Sequence, residues 1–307
     1  MTETSFRIGT RGSPLALAQA GMVATALEEA HGWVAGSVKI VTVKTSGDRI
    51  QDRPLAEVGG KALWTKELDL ALLAGETECS VHSMKDVESV RPETLLIAAM
   101  LPRADVRDRL IGAESIAALP EGARLGTSSP RRAAQLARLR PDLHIHSIRG
   151  NVDTRLAKCH SGEFDATLLA AAGLDRLGRA DVGKAIELSD MLPAPAQGAI
   201  GVECRSNDAM TARLLKAIDH AETKAAVMAE RAFCRALGGT CHSPVAAYAR
   251  LRGEWVDFAC EILSEDGRFR MAEEARFAVG DLDSPAALAR AMLASAPPEI
   301  RRLFEGE

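Results

Sequence analysis

Three segments of the chain place hydroxyl side chains beside arginines at predicted strand-to-helix junctions. The richest segment contains Thr127, Ser128, Ser129, Arg131 and Arg132. Backbone N–H groups at a helix N-terminus, together with hydroxyls and guanidinium groups, suit a carboxylate or a phosphate. A capped helix with solvent-facing arginines is the alternative interpretation, and the Ser-Ser-Pro sequence alone favours it. The two adjacent arginines shift the balance toward an anion site.

A second basic cluster follows another predicted strand and contains Arg149, Gly150 and Arg155. Gly150 has no Cβ atom, so it permits close approach of the backbone to a ligand. The third segment, near the N-terminus, places Arg11 and Ser13 before a predicted helix. Open α/β sheets bind ligands beyond their strand ends, so these three sites predict a ligand with several carboxylates or phosphates.

A fourth segment, at the end of a predicted strand, brings in a carboxylate. It contains His82, Ser83, Lys85 and Asp86. Lys85 could pair with an anion, and Asp86 could stabilise a cationic intermediate or move a proton. A surface Lys–Asp pair is the alternative. His82 is better interpreted as a semi-buried histidine than as a base.

Cys241 is the one cysteine that lies in a glycine-rich loop after a predicted helix. The neighbouring His242 could favour the thiolate, which makes Cys241 the best candidate for covalent chemistry. From the residues alone, a structural or merely exposed cysteine is the better interpretation. The cysteines and histidines offer too few ligands at usable spacing for a metal site, so no metal is predicted.

The composition is that of an average globular protein and excludes several classes of function. The chain has 307 residues, of which 47% are hydrophobic and 26% charged, and a net charge of −4. This charge argues against general binding of nucleic acid or acidic membranes. No basic leader with an apolar run and no membrane-length apolar stretch is present in the sequence, so the expected location is cytoplasmic.

Short β-branched runs alternate with helical patterns over the first 100 residues and again over residues 124–170. This alternation predicts two α/β units, separated by a charged boundary near residues 101–109. The apolar run Ala199–Glu203 could return to either unit. From Glu222 a long predicted helix leads into closely spaced strands, which predicts an antiparallel α+β domain.

Six ordered motifs give the chain a specific resemblance that extends from Phe6 to about Ala249. The motifs are Thr10–Leu17, Val58–Lys61, Val81–Val87, Gly126–Arg132, Arg149–Arg155 and Pro195–Ala199. In these motifs the chain resembles the porphobilinogen deaminases, also called hydroxymethylbilane synthases. The resemblance implies two domains like type II periplasmic binding proteins with the active site in the cleft between them. It also implies a C-terminal α+β domain with a small antiparallel sheet.

The expected domain division combines these patterns with the resemblance. Domain 1 covers residues 1–100, and residues 199–218 return to it. Domain 2 covers residues 101–198, and the C-terminal domain that bears the cofactor covers residues 219–307.

The resemblance also implies a reaction. Porphobilinogen loses ammonia to give an azafulvenium-like cation, which the free α-carbon of a pyrrole on a covalent dipyrromethane primer attacks. Four such cycles and a hydrolysis release the linear tetrapyrrole hydroxymethylbilane, on the route to heme and chlorophyll. The multi-anion inference agrees with this substrate, because every added pyrrole brings two carboxylates.

The resemblance further implies roles for individual residues. Asp86 is the implied catalytic residue, and Cys241 is the implied attachment site of the dipyrromethane cofactor. The other residues implied to hold the cofactor are Lys85, Thr127, Ser128, Ser129, Arg131, Arg132, Arg149 and Gly150. Those implied to bind substrate are Arg11, Ser13, Arg149, Arg155 and Gln197, and those implied for a lid are Lys61 and Trp64. The chain departs from the family pattern at Glu57, Trp64, Glu88 and Thr240.

Two other classes of function stay open at this point. A cytosolic sensory module of the periplasmic-binding-protein type could use the same arginines to hold a dicarboxylate, and it would need neither Asp86 nor Cys241. A phosphate-binding transferase is a weaker possibility, because only the basic loops support it. The resemblance itself implies a monomer with porphobilinogen as substrate, no nucleic-acid or membrane partner, and handover of the product to uroporphyrinogen III synthase.

Overall fold

The computed structural model describes residues 6–45, 65–238 and 243–304. The chain forms two compact units. The first contains the described residues 6–45, 65–104 and 198–224, and the second contains residues 105–197, 225–238 and 243–304. The chain therefore leaves the first unit after residue 104 and returns to it at residue 198.

The strands and helices alternate over most of the described chain. The strands are β1 (Arg7–Thr10), β2 (Lys39–Thr42), β3 (Cys79–Ser83), β4 (Leu95–Met100), β5 (Asp108–Ile111), β6 (Arg124–Gly126), β7 (His144–His146), β8 (Ala166–Ala170), β9 (Lys184–Ala185), β10 (Ile200–Arg205), β11 (Val245–Arg252), β12 (Trp255–Leu263) and β13 (Arg270–Ala278). The helices are α1 (Pro14–His31), α2 (Lys66–Leu73), α3 (Pro130–Leu139), α4 (Val152–His160), α5 (Ala171–Arg176), α6 (Ala209–Lys216), α7 (Ala221–Leu237), α8 (Asp283–Ser295) and α9 (Pro298–Arg301).

The sheet of the first unit has the order β2-β1-β3-β10-β4. β1 pairs in parallel with β2 and β3, whereas β10 runs antiparallel to both β3 and β4. The hydrophobic core of the first unit consists of buried apolar side chains from these strands and from α1, including Ile8, Val23, Leu27 and Val202. The carboxyl ends of the parallel strands therefore lie at one edge of this sheet.

The sheet of the second unit, β7-β6-β8-β5-β9, repeats this arrangement strand for strand. β6 pairs in parallel with β7 and β8, and β5 is the antiparallel strand. β6 therefore occupies the position of β1, and β5 occupies the position of β10. Leu110, Leu125, Leu136 and Leu168 belong to the separate core of this sheet.

The C-terminal part of the second unit is a three-stranded antiparallel sheet in the order β11-β12-β13. Phe233 of α7 and Met292 of α8 pack against one face of this sheet, around Phe258 and Phe277. Together the three sheets confirm the predicted fold class of two α/β parts and an α+β part with a small antiparallel sheet.

Local signals explain where the first helix begins and ends. Ser13 is the N-cap of α1, with its Oγ accepting a hydrogen bond from the N–H of Ala16, and Pro14 occupies the first turn. Gly32 adopts a φ of 61° at the C-terminus, a left-handed conformation that favours glycine. In the described part of the chain, no helix is both long enough and apolar enough to cross a bilayer.

Sequence patterns alone failed to find β4 and β5. The predicted boundary at residues 101–109 overlaps the start of β5, because the charged residues Arg107, Asp108 and Arg109 resemble a solvent-exposed linker. In the structure Asp108 is buried, and the apolar residues Leu110 and Ile111 complete the strand.

Gly201 of β10 provides a test of how closely this strand contacts the Met84–Asp86 turn. A Cβ atom at Gly201 would overlap Met84 Sδ and lie 2.9 Å from Met84 Cγ. We expect Gly201→Ala to lower the free energy of unfolding by about 1–3 kcal/mol in urea titrations, because the buried Met84 must shift. Gly21→Ala in α1, where a Cβ meets nothing within 4 Å, should instead raise it by about 0.5–1 kcal/mol. Equal effects of the two substitutions would contradict the close contact.

Candidate active site

In the first unit, four of the predicted site residues lie at one edge of the sheet. Arg11 follows β1, and Lys85 and Asp86 follow β3 in a short 3-10 turn at Met84–Asp86. Because β1 and β3 are parallel neighbours, their carboxyl ends meet at this edge. Arg11, Ser13, Lys85 and Asp86 are all half-buried. The oxygen of Ser13 also caps α1, so its first role in the structure is local.

The turn that carries Asp86 is supported by two buried polar contacts. Gln19 of α1 donates from Nε2 to Ser83 Oγ at 2.8 Å, at the end of β3. The backbone N–H of Met84 donates to the carbonyl of Ala199. These contacts connect the turn to α1 and to the segment that leads into β10.

A buried ionic cluster lies beside the same strand. Arg91 makes a bidentate contact with Glu203, at 2.9 and 2.8 Å, and also donates to Asp69 at 2.6 Å and to Glu88 at 2.8 Å. His82 Nε2 lies 3.4 Å from Glu203 Oε2. Burial alone would raise the pKa of Glu203, but His82 and Arg91 lower it to about 2. Glu88, one of the departures from the family pattern, is thus part of an ion pair.

In the second unit, the hydroxyls after β6 shape their own loop. Ser129 caps α3 by accepting from the N–H of Arg132, and Thr127 Oγ1 accepts from the N–H of Ser129 at 3.2 Å. Ser128 Oγ donates to the carbonyl of Ile148 at 2.5 Å and accepts from the N–H of the same residue at 3.1 Å. Ser128 Oγ also lies 3.0 Å from Ser147 Oγ, so this hydroxyl connects the loops after β6 and β7.

Arg131 and Arg132 converge on one buried carboxylate, that of Asp108. Both Nη2 atoms donate to Asp108 at 2.7 Å, Arg131 to Oδ2 and Arg132 to Oδ1. Gln197 Nε2 donates to the same Oδ1 at 2.8 Å and to the carbonyl of Val106 at 2.7 Å. The exposed fractions of Asp108, Arg131 and Arg132 are 3%, 3% and 5%, so the alternative of solvent-facing arginines is wrong.

The electrostatics of this cluster favour the ionised carboxylate. Burial alone would raise the pKa of Asp108, but Arg131 and Arg132 outweigh burial and hold it well below its usual range. Arg132 also donates from Nη1 to the carbonyl of Leu168 at 2.9 Å. The guanidinium planes are therefore fixed from two sides.

In the basic cluster after β7, position 150 has no room for a side chain. Gly150 adopts a φ of 109°, and a Cβ atom there would lie 2.5 Å from Thr154 Cβ. Arg155 Nε donates to the carbonyl of Gly150 at 3.0 Å, and Asn151 caps α4 by accepting from the N–H of Thr154. Arg149 is half-buried beside them.

Buried donor atoms indicate what ligand the second-unit edge suits. Arg131 Nε and Arg132 Nε are buried without a hydrogen-bond partner among the described residues. A buried N–H without an acceptor costs free energy, so an additional acceptor at this place would be stabilising. Two guanidinium groups share the single carboxylate of Asp108, which leaves one positive charge in excess. These residues fit a group that carries carboxylates, such as the dipyrromethane cofactor that the resemblance implies.

Sequence reasoning missed Asp108, whose role depends on a pairing that spans 23 residues to Arg131. Three predicted site residues, Cys241, Lys61 and Trp64, lie outside the described residues, as do Glu57 and Thr240. Within residues 6–45, 65–238 and 243–304, no group of three or more His, Cys, Asp or Glu side chains could hold a metal ion.

Two equivalent α/β sheets with cationic residues at their strand ends define a protein of the class that binds small anionic ligands at sheet edges. Comparison with known sequences identifies the family. The sequence-family model described as "Porphobilinogen deaminase, dipyromethane cofactor binding domain" matches residues 6–213. A second family model, "Porphobilinogen deaminase, C-terminal domain", matches residues 224–294. The chain belongs to the porphobilinogen deaminase family.

Two relatives identified by sequence agree with this assignment. The porphobilinogen deaminase of Sphingopyxis alaskensis is 58% identical over 98% of this chain and 97% of its own length. That of Paracoccus denitrificans is 51% identical over 89% of this chain and 88% of its own length. Among solved structures, a periplasmic substrate-binding protein of an ABC transporter from Coxiella burnetii has a TM-score of 0.42 at 15% identity, covering 69% of this chain and 91% of its own.

The Asp108 cluster predicts a pH-dependent contribution to stability. Asp108→Asn leaves two buried guanidinium groups without their counter-ion, so we expect the free energy of unfolding to fall by about 3–5 kcal/mol at pH 7. The folded-state pKa of Asp108 lies below its unfolded value of about 3.9, so this contribution is present above about pH 4 and is lost as the pH falls further. In urea titrations from pH 7 to pH 3, the difference in free energy of unfolding between the parent protein and Asp108→Asn should therefore become smaller.

The control for this prediction is Glu163→Gln, which removes the half-exposed ion pair of Glu163 with Lys158. It should change the free energy of unfolding by less than about 1 kcal/mol. A difference between Asp108→Asn and the parent that is small at pH 7, or constant across this pH range, would contradict the assigned role of Asp108.

Proposed function

We propose that the chain catalyses the condensation of four porphobilinogen molecules and one water into hydroxymethylbilane and four molecules of ammonia. Each condensation breaks the bond between the aminomethyl carbon and its nitrogen, which leaves as ammonia. A new bond forms between that carbon and a pyrrole α-carbon, which gives up its proton. The match of both family models, over residues 6–213 and 224–294, is the observation that carries this proposal.

Asp86 is proposed to stabilise the positive charge that develops on porphobilinogen as ammonia leaves. Its place in the turn after β3, at the same edge as Arg11, supports this role. A fixed carboxylate near a developing cation lowers the barrier most when the protein holds it in place beforehand. The contacts of Gln19 with Ser83 and of Met84 with Ala199 provide this support.

The cationic and polar residues of both units are proposed to bind carboxylate side chains. In the first unit these are Arg11, Ser13 and Lys85. In the second unit they are Thr127, Ser128, Ser129, Arg131, Arg132, Arg149, Gly150, Arg155 and Gln197. The buried Nε atoms of Arg131 and Arg132 support this role, as does the net positive charge of their cluster with Asp108. Gln197 also donates to Asp108.

The dipyrromethane cofactor, which the family model names, is proposed to be attached to Cys241. When bound, it supplies the pyrrole α-carbon at which chain growth begins. The proposed domain division is residues 1–100 with 199–218, residues 101–198, and residues 219–307. The buried apolar side chains of the three sheets form separate clusters, which supports this division.

The remaining proposals concern the cellular context. The protein is proposed to be a cytoplasmic transferase that acts as a monomer. Lys61 and Trp64 are proposed to belong to a lid, as the resemblance implies. Handover of the product to uroporphyrinogen III synthase is consistent with the proposed reaction. A sensory module that merely holds an anion is not favoured, because two relatives at 58% and 51% identity are porphobilinogen deaminases over nearly their full lengths.

The covalent cofactor gives the first prediction of this proposal. Intact-protein mass spectrometry of the purified chain should give a mass that exceeds the sequence mass by two porphobilinogen units less their ammonia. Cys241→Ser should lose this excess, whereas Cys159→Ser, which changes a half-buried free cysteine, should retain it. An unmodified parent protein that stays unmodified after incubation with porphobilinogen would overturn the proposed function.

The second prediction concerns Asp86. We expect Asp86→Asn to lower kcat by about 10²- to 10⁴-fold, because the amide cannot offset the developing charge. The melting temperature should stay within a few degrees of the parent, since Asp86 is half-buried near the surface. Asp190→Asn, at an exposed position, is the matched control and should leave kcat unchanged. Turnover of Asp86→Asn at the parent rate would remove the catalytic role.

A further inference from the structure

The hairpin between β12 and β13 lies directly on α3, the helix that begins with Ser129 and carries Arg131 and Arg132. Gly267, in the turn of this hairpin, adopts a φ of 69°. A Cβ atom there would overlap the carbonyl oxygen of Ala134 and lie 2.8 Å from the backbone N of Arg138. The C-terminal sheet thus approaches the backbone of α3 as closely as a residue without a side chain allows.

A continuous chain of polar contacts runs from this sheet to Arg131. Arg270 Nε of β13 donates to Glu261 Oε2 of β12 at 2.6 Å. Glu261 Oε1 accepts a short hydrogen bond from Gln135 Nε2, and Gln135 Oε1 accepts from Arg131 Nη1 at 2.8 Å. Arg131 then donates to Asp108, which also holds Arg132.

The middle of this chain is isolated from water and has little freedom. Gln135 is 3% exposed and Glu261 is 4% exposed. Arg131 and Gln135 are four residues apart, so they share one face of α3. Both also donate to the carbonyl of Leu192, at 2.8 and 3.0 Å. The amide of Gln135 therefore has one orientation, with its oxygen toward Arg131 and its nitrogen toward Glu261.

We propose that Gln135 and Glu261 are positioning residues, through which the C-terminal sheet fixes the orientation of Arg131 and, by way of Asp108, of Arg132. This inference rests on the proposed function, because it gives these two arginines the task of binding carboxylates of porphobilinogen and of the growing chain. Neither Gln135 nor Glu261 touches the ligand. They act by holding guanidinium groups in the plane that a carboxylate can engage.

The polarity of the contact allows a charge-exchange experiment. Gln135→Glu places a second carboxylate opposite that of Glu261, where the amide of Gln135 now donates a hydrogen bond. This variant should raise the KM for porphobilinogen by at least about 10-fold, while kcat changes by less than about 3-fold. Glu261→Gln keeps an acceptor for Gln135, so its KM should stay within about 3-fold of the parent. The double variant Gln135→Glu/Glu261→Gln restores one donor facing one carboxylate. Its KM should return to within about 3-fold of the parent.

A matched control separates repair of this contact from a general change of charge. Glu274, on β13, is exposed, so Gln135→Glu/Glu274→Gln has the same net charge as the repairing pair. It should stay as impaired as Gln135→Glu. If Gln135→Glu does not fold, Gln135→Met replaces it: its KM should rise in the same way and should not be repaired by Glu261→Gln. An unchanged KM in the folded single variant, or no repair by Glu261→Gln of the Gln135→Glu defect, would overturn the proposal.

The glycine turn offers a second test that changes no residue of the polar chain itself. Gly267→Ala should push the hairpin away from α3 and raise the KM in the same manner. Gly253→Ala provides a control of equal backbone strain, since Gly253 has a φ of 64° in the β11–β12 turn but a Cβ there meets nothing within 4 Å. It should leave the KM unchanged. Equal KM values for both variants would show that docking of the hairpin does not set the arginines.

A readout independent of turnover distinguishes this proposal from the proposed function. In the Cys241→Ser background, we would measure the rise in melting temperature that sodium sulfate gives over sodium chloride of equal ionic strength. The rise should be smaller with Gln135→Glu and restored in the double variant, because sulfate engages the same guanidinium groups. A parent protein that does not condense porphobilinogen but shows this sulfate pattern would refute the proposed function alone. An active parent whose sulfate response does not change with Gln135→Glu would refute the positioning role alone.

Discussion

The buried carboxylate of Asp108 is the interaction on which the second unit depends. Removing a carboxylate and two guanidinium groups from water is expensive, and direct contacts must offset that cost. Asp108 makes those contacts with Arg131, Arg132 and Gln197, each within 2.8 Å. Because two cations share one anion, the cluster keeps a net positive charge inside the protein. This excess positive charge is the electrostatic basis of the proposed carboxylate site.

The two five-stranded sheets share the same junction between their central parallel strand and the helix that follows it. β1 and β6 occupy equivalent positions, and each leads into a helix with a serine N-cap and a proline in the first turn, Ser13 with Pro14 and Ser129 with Pro130. The units differ in the residues that come after the third parallel strand. The first unit has Lys85 and Asp86 after β3, whereas the second has the apolar start of α5 after β8. The proposed catalytic carboxylate thus belongs to one of two similar scaffolds.

Local signals in the sequence were sufficient for most of the fold. The alternation predicted over residues 124–170 is present as β6, α3, β7, α4 and β8, because turn residues and caps define the ends of these elements. The candidate sites at Gly126–Arg132 and Arg149–Arg155 were predicted from the same local signals. The features that sequence reasoning missed depend on pairing between distant residues: Asp108 with Arg131 and Arg132, and Gln135 with Glu261, which are 126 positions apart. A charged residue beside a predicted linker gives no sign that it is buried until its partners are known.

The strand order of the first sheet has a consequence for the newly made chain. In the first sheet, the edge strand β4 pairs only with β10, which ends at residue 205. Until that residue has been synthesised, β10 is incomplete and β4 has no neighbouring strand with which to pair. All strands of the second sheet lie between residues 108 and 185, and they are present earlier. On the ribosome, the part of the protein that begins the sequence is therefore the later of these two sheets to be completed. Until then the backbone N–H and C=O groups on the edge of β3 that pairs with β10 have no strand partner, and an unpaired strand edge favours aggregation during folding.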